Sequence, residues 1–244
     1  MSAKKTIGIL GGMGPLATAD LFEKITLLTD AKTDRDHIRI YIDSNANIPD
    51  RTAAILSGGE DPVPEMAKAL RNLERCGADC IIMPCNTAHY FLPRLQEMTE
   101  IPFLSILAAA AAACKQQFPG KTVGVLGTTG TLSANLYQTA LEREDVSFLV
   151  PDAVEQAALM RIIYDGVKAG KGPDSYRADF LAVLEGMAAR GAEVFLLGCT
   201  ELPLAAEALH VTVPTVDPTA ELAKAAIRFC GYPVQGEQCP AAFA

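Results

Sequence analysis

Long hydrophobic runs are missing from this chain. No stretch approaches the roughly 20 apolar residues of a membrane span, and the alanine run 108–113 reads as a closely packed buried helix. Positive charge is also scarce: 21 Lys and Arg stand against 29 Asp and Glu, a formal net charge of −8. That balance argues against nucleic acid and anionic membrane as partners, and any anionic substrate must be met by locally placed cations. A cysteine framework is lacking too. Seven cysteines, an odd number without regular spacing, read as reduced thiols in a cytosolic protein. A secretory leader is not seen either, because the apolar run after Lys4 and Lys5 breaks at Gly11, Gly12, Gly14 and Pro15. With 50% hydrophobic and 20% charged residues, the 244-residue chain is neither disordered nor fibrous and can bury a sizeable core.

What is present is a duplication. Arg75-Cys76-Gly77-Ala78-Asp79 and Arg190-Gly191-Ala192-Glu193 each lead through an apolar run to a cysteine, Cys85 and Cys199. Gly77, Ala78, Asp79 and Cys85 fall on Gly191, Ala192, Glu193 and Cys199 at an offset of 114 residues. The opening strand Lys5–Gly11 returns as Lys121–Gly127, and Ile101-Pro102 returns as Val213-Pro214. Strands are expected at 6–11, 37–43, 79–84 and 102–105, with helices at about 16–30, 51–57 and 62–76 and one from Thr87. Short strands alternating with helices imply mainly parallel sheets covered on both faces. The expected organisation is α/β with two pseudosymmetric lobes. Residues 1–105 plus 217–244 form the first lobe, with helix 219–230 packing back on it, and 106–216 form the second. The tail 231–244 is expected to be peripheral.

In parallel sheets ligands bind beyond the carboxyl ends of the strands. Cys85 and Cys199 sit there, each at or just before a helix start, which favours the thiolate. The bland reading of a free cysteine is a small core hydrophobe. That reading is given to Cys76, Cys80, Cys114, Cys230 and Cys239. The spacing of Cys76, Cys80 and Cys85 matches no common zinc pattern, and no metal is expected. Gly12-x-Gly14-x-x-Ala17 after a strand satisfies a dinucleotide fingerprint, with Asp43 ending the second strand. However, the interval from Gly12 to Asp43 is longer than the usual ~20 residues, and Pro15 removes an N–H from the helix start. Both glycine turns, the second being Gly127-Thr128-Thr129-Gly130-Thr131, suit a small anion held by backbone N–H groups.

Taken together, Gly11-Gly12-Met13-Gly14-Pro15, Pro84-Cys85-Asn86-Thr87-Ala88-His89 and Gly198-Cys199-Thr200-Glu201-Leu202 resemble the aspartate/glutamate racemase superfamily. The cofactor-independent aspartate racemases are the closer match, over Lys5 to about Ala226. The glutamate racemases differ, with an Asp-Ser pair and a His where this chain has Gly12-Met13 and Glu201. The resemblance implies two Rossmann-like lobes, an active site in the cleft between them, commonly a homodimer, and no pyridoxal phosphate, metal or nucleotide. It also implies substrate contacts from Met13, Asn86, Thr87, Thr128, Thr129 and Thr200. The distal carboxylate falls to Arg51, helped by Tyr164 and Lys168, which lie one helical turn apart. Arg161 and Lys171 receive no role.

The chemistry accounts for two thiols without the family. Inverting Cα needs one group to take a proton from one face and another to return one to the opposite face. Cysteines suit this because modest tuning brings them near neutrality. The expected reaction is interconversion of L- and D-aspartate on Cys85 and Cys199. Glutamate or a broader acidic range stays open, as do an NAD(P)-dependent oxidoreductase built on the glycine turn and a silent dicarboxylate binder.

Overall fold

The apolar runs that open each half and those that lead to its cysteine form the central strands of two sheets. A computed structural model describes residues 4–237 of the chain, so Cys239 lies outside the described residues. In the first lobe the order is β1 (Ile7–Gly11), α1 (Pro15–Leu28), β2 (Ile40–Ser44), α2 (Arg51–Leu56), α3 (Val63–Cys76), β3 (Cys80–Ile82), α4 (Leu92–Gln96) and β4 (Phe103–Leu104). The second lobe runs through α5 (Ile106–Gln117), β5 (Val123–Gly127), α6 (Thr129–Ser133), α7 (Leu136–Arg143), β6 (Phe148–Leu149) and α8 (Ala153–Met160). It continues with α9 (Arg177–Ala189), β7 (Val194–Gly198), α10 (Glu201–Ala208) and β8 (Thr215–Val216), after which the chain forms α11 (Pro218–Phe229). The sheets are ordered β2-β1-β3-β4 and β6-β5-β7-β8, and every strand pair in them is parallel. One order is the other shifted by four. The duplication is therefore structural.

The repeated residues do equivalent work. Asp79 accepts the amide of Thr6 at 2.7 Å, and Glu193 accepts the amide of Thr122 at 3.1 Å. Each carboxylate thus secures the start of the strand beside it. A Cβ on Gly8 would meet the Ala78 methyl at 2.9 Å, and one on Gly124 would meet the Ala192 methyl at 3.1 Å. The Gly–Ala pairs let helix-side residues press directly on the strands.

Helix α11 packs back on the first lobe, where Leu222, Ala223, Ala226 and Ile227 share a core with Ile7, Ile9, Leu21 and Ile25. Lys24 of α1 reaches Asp217 at its N-terminus, 2.8 Å away. Each fully buried Ile or Leu stabilises this seam by roughly 1.5–3 kcal/mol. Helix α5 joins both cores: Ile106 packs in the first lobe, while Ala110, Ala111 and Cys114 pack against Val123 and Val125. No helix among the described residues is long and apolar enough to cross a membrane.

Three expectations need correction. The helix from Thr87 opens as a 3₁₀ turn, Thr87–Phe91, before α4. Pro93 takes an early position of α4, where its missing N–H costs nothing. The segment after α11 is not peripheral: Val234 is buried and bridges Thr29 in antiparallel fashion, and Gln235 donates its amide to Leu28. Cys76 is exposed rather than in the core, because it ends α3 on the solvent side. Cys80, Cys114 and Cys230 are buried, as a core reading requires.

Candidate active site

The two repeated strands each lead to a cysteine, and the two cysteines meet at one cavity. Cys85 follows β3 and Cys199 follows β7, both nearly buried, and both line one cavity between the lobes. Met13, Arg51, Asn86, Thr87, Thr128, Tyr164, Lys168 and Thr200 line it as well. The space left among them is about 10 Å³ for the centre of a water molecule, which is room for about one water. Of the candidate residues, Thr129 alone is not brought in. It stands one residue past the N-cap of α6, and its hydroxyl accepts from Gln156 at 3.2 Å on the outer side of the turn. Arg161 pairs with Asp179 at 2.8 Å on the surface.

The first-lobe cation is built into the loop after β2. Asp50 caps α2 by accepting from Ala53 at 2.7 Å, so Arg51 begins the helix with its side chain turned inward. The guanidinium donates to the carbonyls of Pro49 (2.9 Å), Ile48 (3.3 Å) and Met13 (3.4 Å). Met13 thereby enters the site by its backbone. Burial works against the Arg51 charge, yet Cys85 and then Asp50 outweigh it and move the pKa up. Gly12, at φ +91°, sits against the backbone of Asn45, so the glycine turn makes room for the chain's own polar loop. Asp43 is held by Asn72 at 2.8 Å. These contacts give the dinucleotide fingerprint an internal use.

The second-lobe cation follows an unusual helix. Residues Arg161–Val167 form a π-helix, in which the amide of Lys168 bonds the carbonyl of Ile163. The expected α-turn between Tyr164 and Lys168 is thus widened, a feature that recurs at functional sites. Lys168 Nζ lies 4.8 Å from the centre of the Tyr164 ring, and the Tyr164 hydroxyl donates across the cleft to Asp50 at 3.3 Å. The Lys168 side chain is 27% accessible and sits 3.6 Å from Glu201. Burial lowers its pKa, but Glu201 and the two cysteines prevail and the net shift is upward.

Hydroxyls and amides complete the walls. Thr87 contacts Thr128 at 3.0 Å and Thr131 at 2.8 Å, so one hydroxyl from the first lobe meets two from the second. Helical arithmetic identifies the partner: the N-cap Thr128 takes the amide three residues on, which places Thr131 beside it and turns Thr129 away. Asn86 accepts from the buried Tyr137 hydroxyl, while its own amide nitrogen has no partner among the described residues. Arg51 Nε is likewise unpartnered. Two buried donors without acceptors cost about 1–3 kcal/mol each, and both belong to residues lining the cavity.

Glu201 was given no role in the sequence and is prominent here. Cys199 donates from its thiol to Glu201 Oε2 at 3.0 Å, and Thr200 donates to the same oxygen at 3.2 Å. Burial, and then this carboxylate, push the Cys199 thiol far above its ordinary range, against the pull of Lys168. The site is therefore electrostatically lopsided. A cation attends Cys85 and an anion attends Cys199. The signal for Glu201 was an acid two residues after a strand-end cysteine, legible only once the intervening turn is known.

His89 lies behind Cys85, and burial holds its imidazole down to about 4 even though the Cys85 carbonyl pulls the other way. The unfolded chain binds this proton near the ordinary 6.5. Between those values the unfolded state carries more protons, so stability falls as pH drops from about 6.5 to 4. The whole window is worth roughly 3 kcal/mol. Urea unfolding at pH 7 and pH 4.5 should show the loss in the parent and a smaller one in His89→Asn.

A family model described as Asp/Glu/hydantoin racemase matches residues 10–226. The chain belongs to this family. Among solved structures, the aspartate racemase of Picrophilus torridus is similar, with 32% identity and a TM-score of 0.82 over 95% of this chain and 96% of that one. A broad specificity amino-acid racemase of Bacillus subtilis (strain 168) is 28% identical over 233 residues, covering 91% of this chain and 96% of the relative. The glutamate racemase of Francisella tularensis, with D-glutamate, is 20% identical at a TM-score of 0.65 over 93% of this chain and 81% of that one, and shares the fold. The racemase family's two-lobe α/β architecture, with its cleft, is the architecture described above.

Proposed function

We propose that this racemase interconverts L- and D-aspartate by a two-base mechanism on Cys85 and Cys199. The observation that carries this reading is the pair of thiols at duplicated strand ends, one from each lobe, lining a single cleft that also holds Arg51 and Lys168. One thiolate removes the α-proton while the other thiol delivers its own to the opposite face. In one direction Cys199 is already the hydrogen-bearing partner, donating toward Glu201. Each turnover leaves Cys199 as the thiolate and Cys85 as the thiol, which is the state from which the reverse direction starts. Developing carbanion charge is stabilised where fixed donors are aimed at it. Asn86 Nδ2 and the Thr87 and Thr128 hydroxyls, which line the cavity, supply such donors.

Arg51, with Lys168 and Tyr164, takes the side-chain carboxylate. The similarity to an aspartate racemase over nearly the whole chain supports aspartate. The relative named for broad specificity supports a second reading, a wider amino-acid range on the same two thiols. The chemistry needs no pyridoxal phosphate, metal or nucleotide, and a cytoplasmic homodimer is the form proposed.

Circular dichroism of single enantiomers, with no cofactor added, tests this directly. Aspartate should lose its optical signal fastest among the amino acids. Chelators and hydroxylamine should leave the rate unchanged, and thiol alkylation should abolish it. A rate lost on chelation and restored by a metal would overturn the mechanism.

A further inference from the structure

The carbonyls of the two strand-end cysteines are held differently. That of Cys199 accepts the backbone amide of Leu202 at 2.9 Å, within the turn that opens α10. That of Cys85 is held by a side chain: His89 Nδ1 lies 2.9 Å from it. The other ring nitrogen, Nε2, accepts the amide of Ile106 at 3.2 Å. An amide N–H can only donate, so Nε2 carries no proton. In the neutral ring the proton is then on Nδ1, which donates to the Cys85 carbonyl. One buried, neutral imidazole satisfies both groups.

Ile106 is the first residue of α5, the helix that leaves the first lobe and packs in the second. The ring thus joins the Cys85 turn to the segment that links the lobes. The second lobe has no counterpart, because the position 114 residues on from His89 is Pro203. We propose that His89 is a positioning residue for Cys85, fixing the strand-end turn against the start of α5 and so setting where this thiol stands in the cleft. The inference rests on the two-thiol reading above.

The difference between the halves follows from their local structure. An α-helix opens after Cys199, and its own turn takes up that carbonyl. After Cys85 the chain makes a 3₁₀ turn instead, and His89 lies four residues on, with its ring returning to the cysteine carbonyl. Behind the ring lies a groove of about 310 Å³, lined by His89, Ser105, Leu107 and Ala108 on one side and by α7 with the turn before it on the other. Removing the imidazole would open the Cys85 turn toward that groove.

The test compares His89→Asn with His89→Ala. The Asn amide can occupy the place of Nδ1 and donate to the Cys85 carbonyl; Ala cannot. Three quantities are measured: racemisation rate, alkylation rates of Cys85 and Cys199 by peptide mass spectrometry, and thermal stability. Displacing a reacting group by about 1 Å costs on the order of 10²-fold, so His89→Ala should lose about that much kcat with KM changed less than about threefold. Its Cys85 alkylation rate should change while that of Cys199 stays within about twofold, and added imidazole should restore part of kcat through the groove. His89→Asn should stay within about tenfold of the parent. Equal loss in both variants, or equal change at both thiols, would show a merely structural residue and overturn the proposal. Should Cys85→Ser itself still racemise, the two-thiol reading fails first. If Cys85→Ser is dead while His89→Ala is fully active, only the positioning role falls.

Discussion

Cys85→Ser and Cys199→Ser should each lose racemisation by roughly 10²–10⁴-fold, the range of a missing acid–base group, yet keep opposite half-reactions. Serine preserves the shape of each turn and replaces a tunable thiol by a far weaker acid. Turnover needs both groups, so either change nearly abolishes it. The remaining thiolate still removes a proton from its own face and, after solvent exchange, returns deuterium there. Proton NMR of L- and D-aspartate in heavy water should therefore show α-proton exchange with opposite enantiomer preference in the two variants. The neighbours sharpen the expectation. Cys199 lies against Glu201, which keeps its proton on, whereas Cys85 faces the Arg51 cation. Exchange by Cys85→Ser, which depends on Cys199 as base, should be the slower of the two at neutral pH. Identical preference in both variants, or full racemisation by either, would refute the two-base mechanism.

Arg51→Leu should lower kcat/KM for aspartate by roughly 2–4 kcal/mol, the cost of taking away one partner of a desolvated charge. Lys168→Met should fall in the same range, and Lys171→Met should change little. The structure separates the first two. Arg51 also ties the carbonyls of Ile48, Pro49 and Met13 together, so its loss loosens the polar loop and should lower the melting temperature. Lys168 is partly accessible, and its loss leaves Glu201 without its cation, which should act on Cys199. If all three variants behaved alike, the distal carboxylate would be bound elsewhere.

Much of the architecture could be read from the chain because it is said twice. Gly77-Ala78-Asp79 and Gly191-Ala192-Glu193 lead to cysteines at one offset, and the paired strands β3 and β7 place those cysteines at one cleft. Arg51, Tyr164 and Lys168 rested on resemblance and do line the cavity. What escaped was through-space geometry. Tyr137 meets Asn86 across 51 positions, and Tyr164 meets Asp50 across 114. Periodicity carries no trace of such contacts. Thr131 and Glu201 were closer to legible. Counting three residues from the N-cap selects Thr131 over Thr129, and an acid two positions from Cys199 invites a question about its proton. The π-helix before Lys168 had no local signature: the β-branched Ile162, Ile163 and Val167 and the glycine of Arg161–Val167 weaken an α-helix without specifying a wider turn.

The lopsided pair of neighbours has a consequence for direction. In an achiral solvent L- and D-aspartate have the same free energy, so the equilibrium lies at one to one. The ratio kcat/KM must then be identical in the two directions, however unlike the surroundings of the two thiols are. Glu201 beside Cys199 and Arg51 beside Cys85 can therefore give neither enantiomer a net advantage. Their asymmetry can be expressed only in how kcat and KM divide. The enantiomer that meets the enzyme in its resting protonation state saturates it at lower concentration and turns over more slowly, while its mirror image does the reverse.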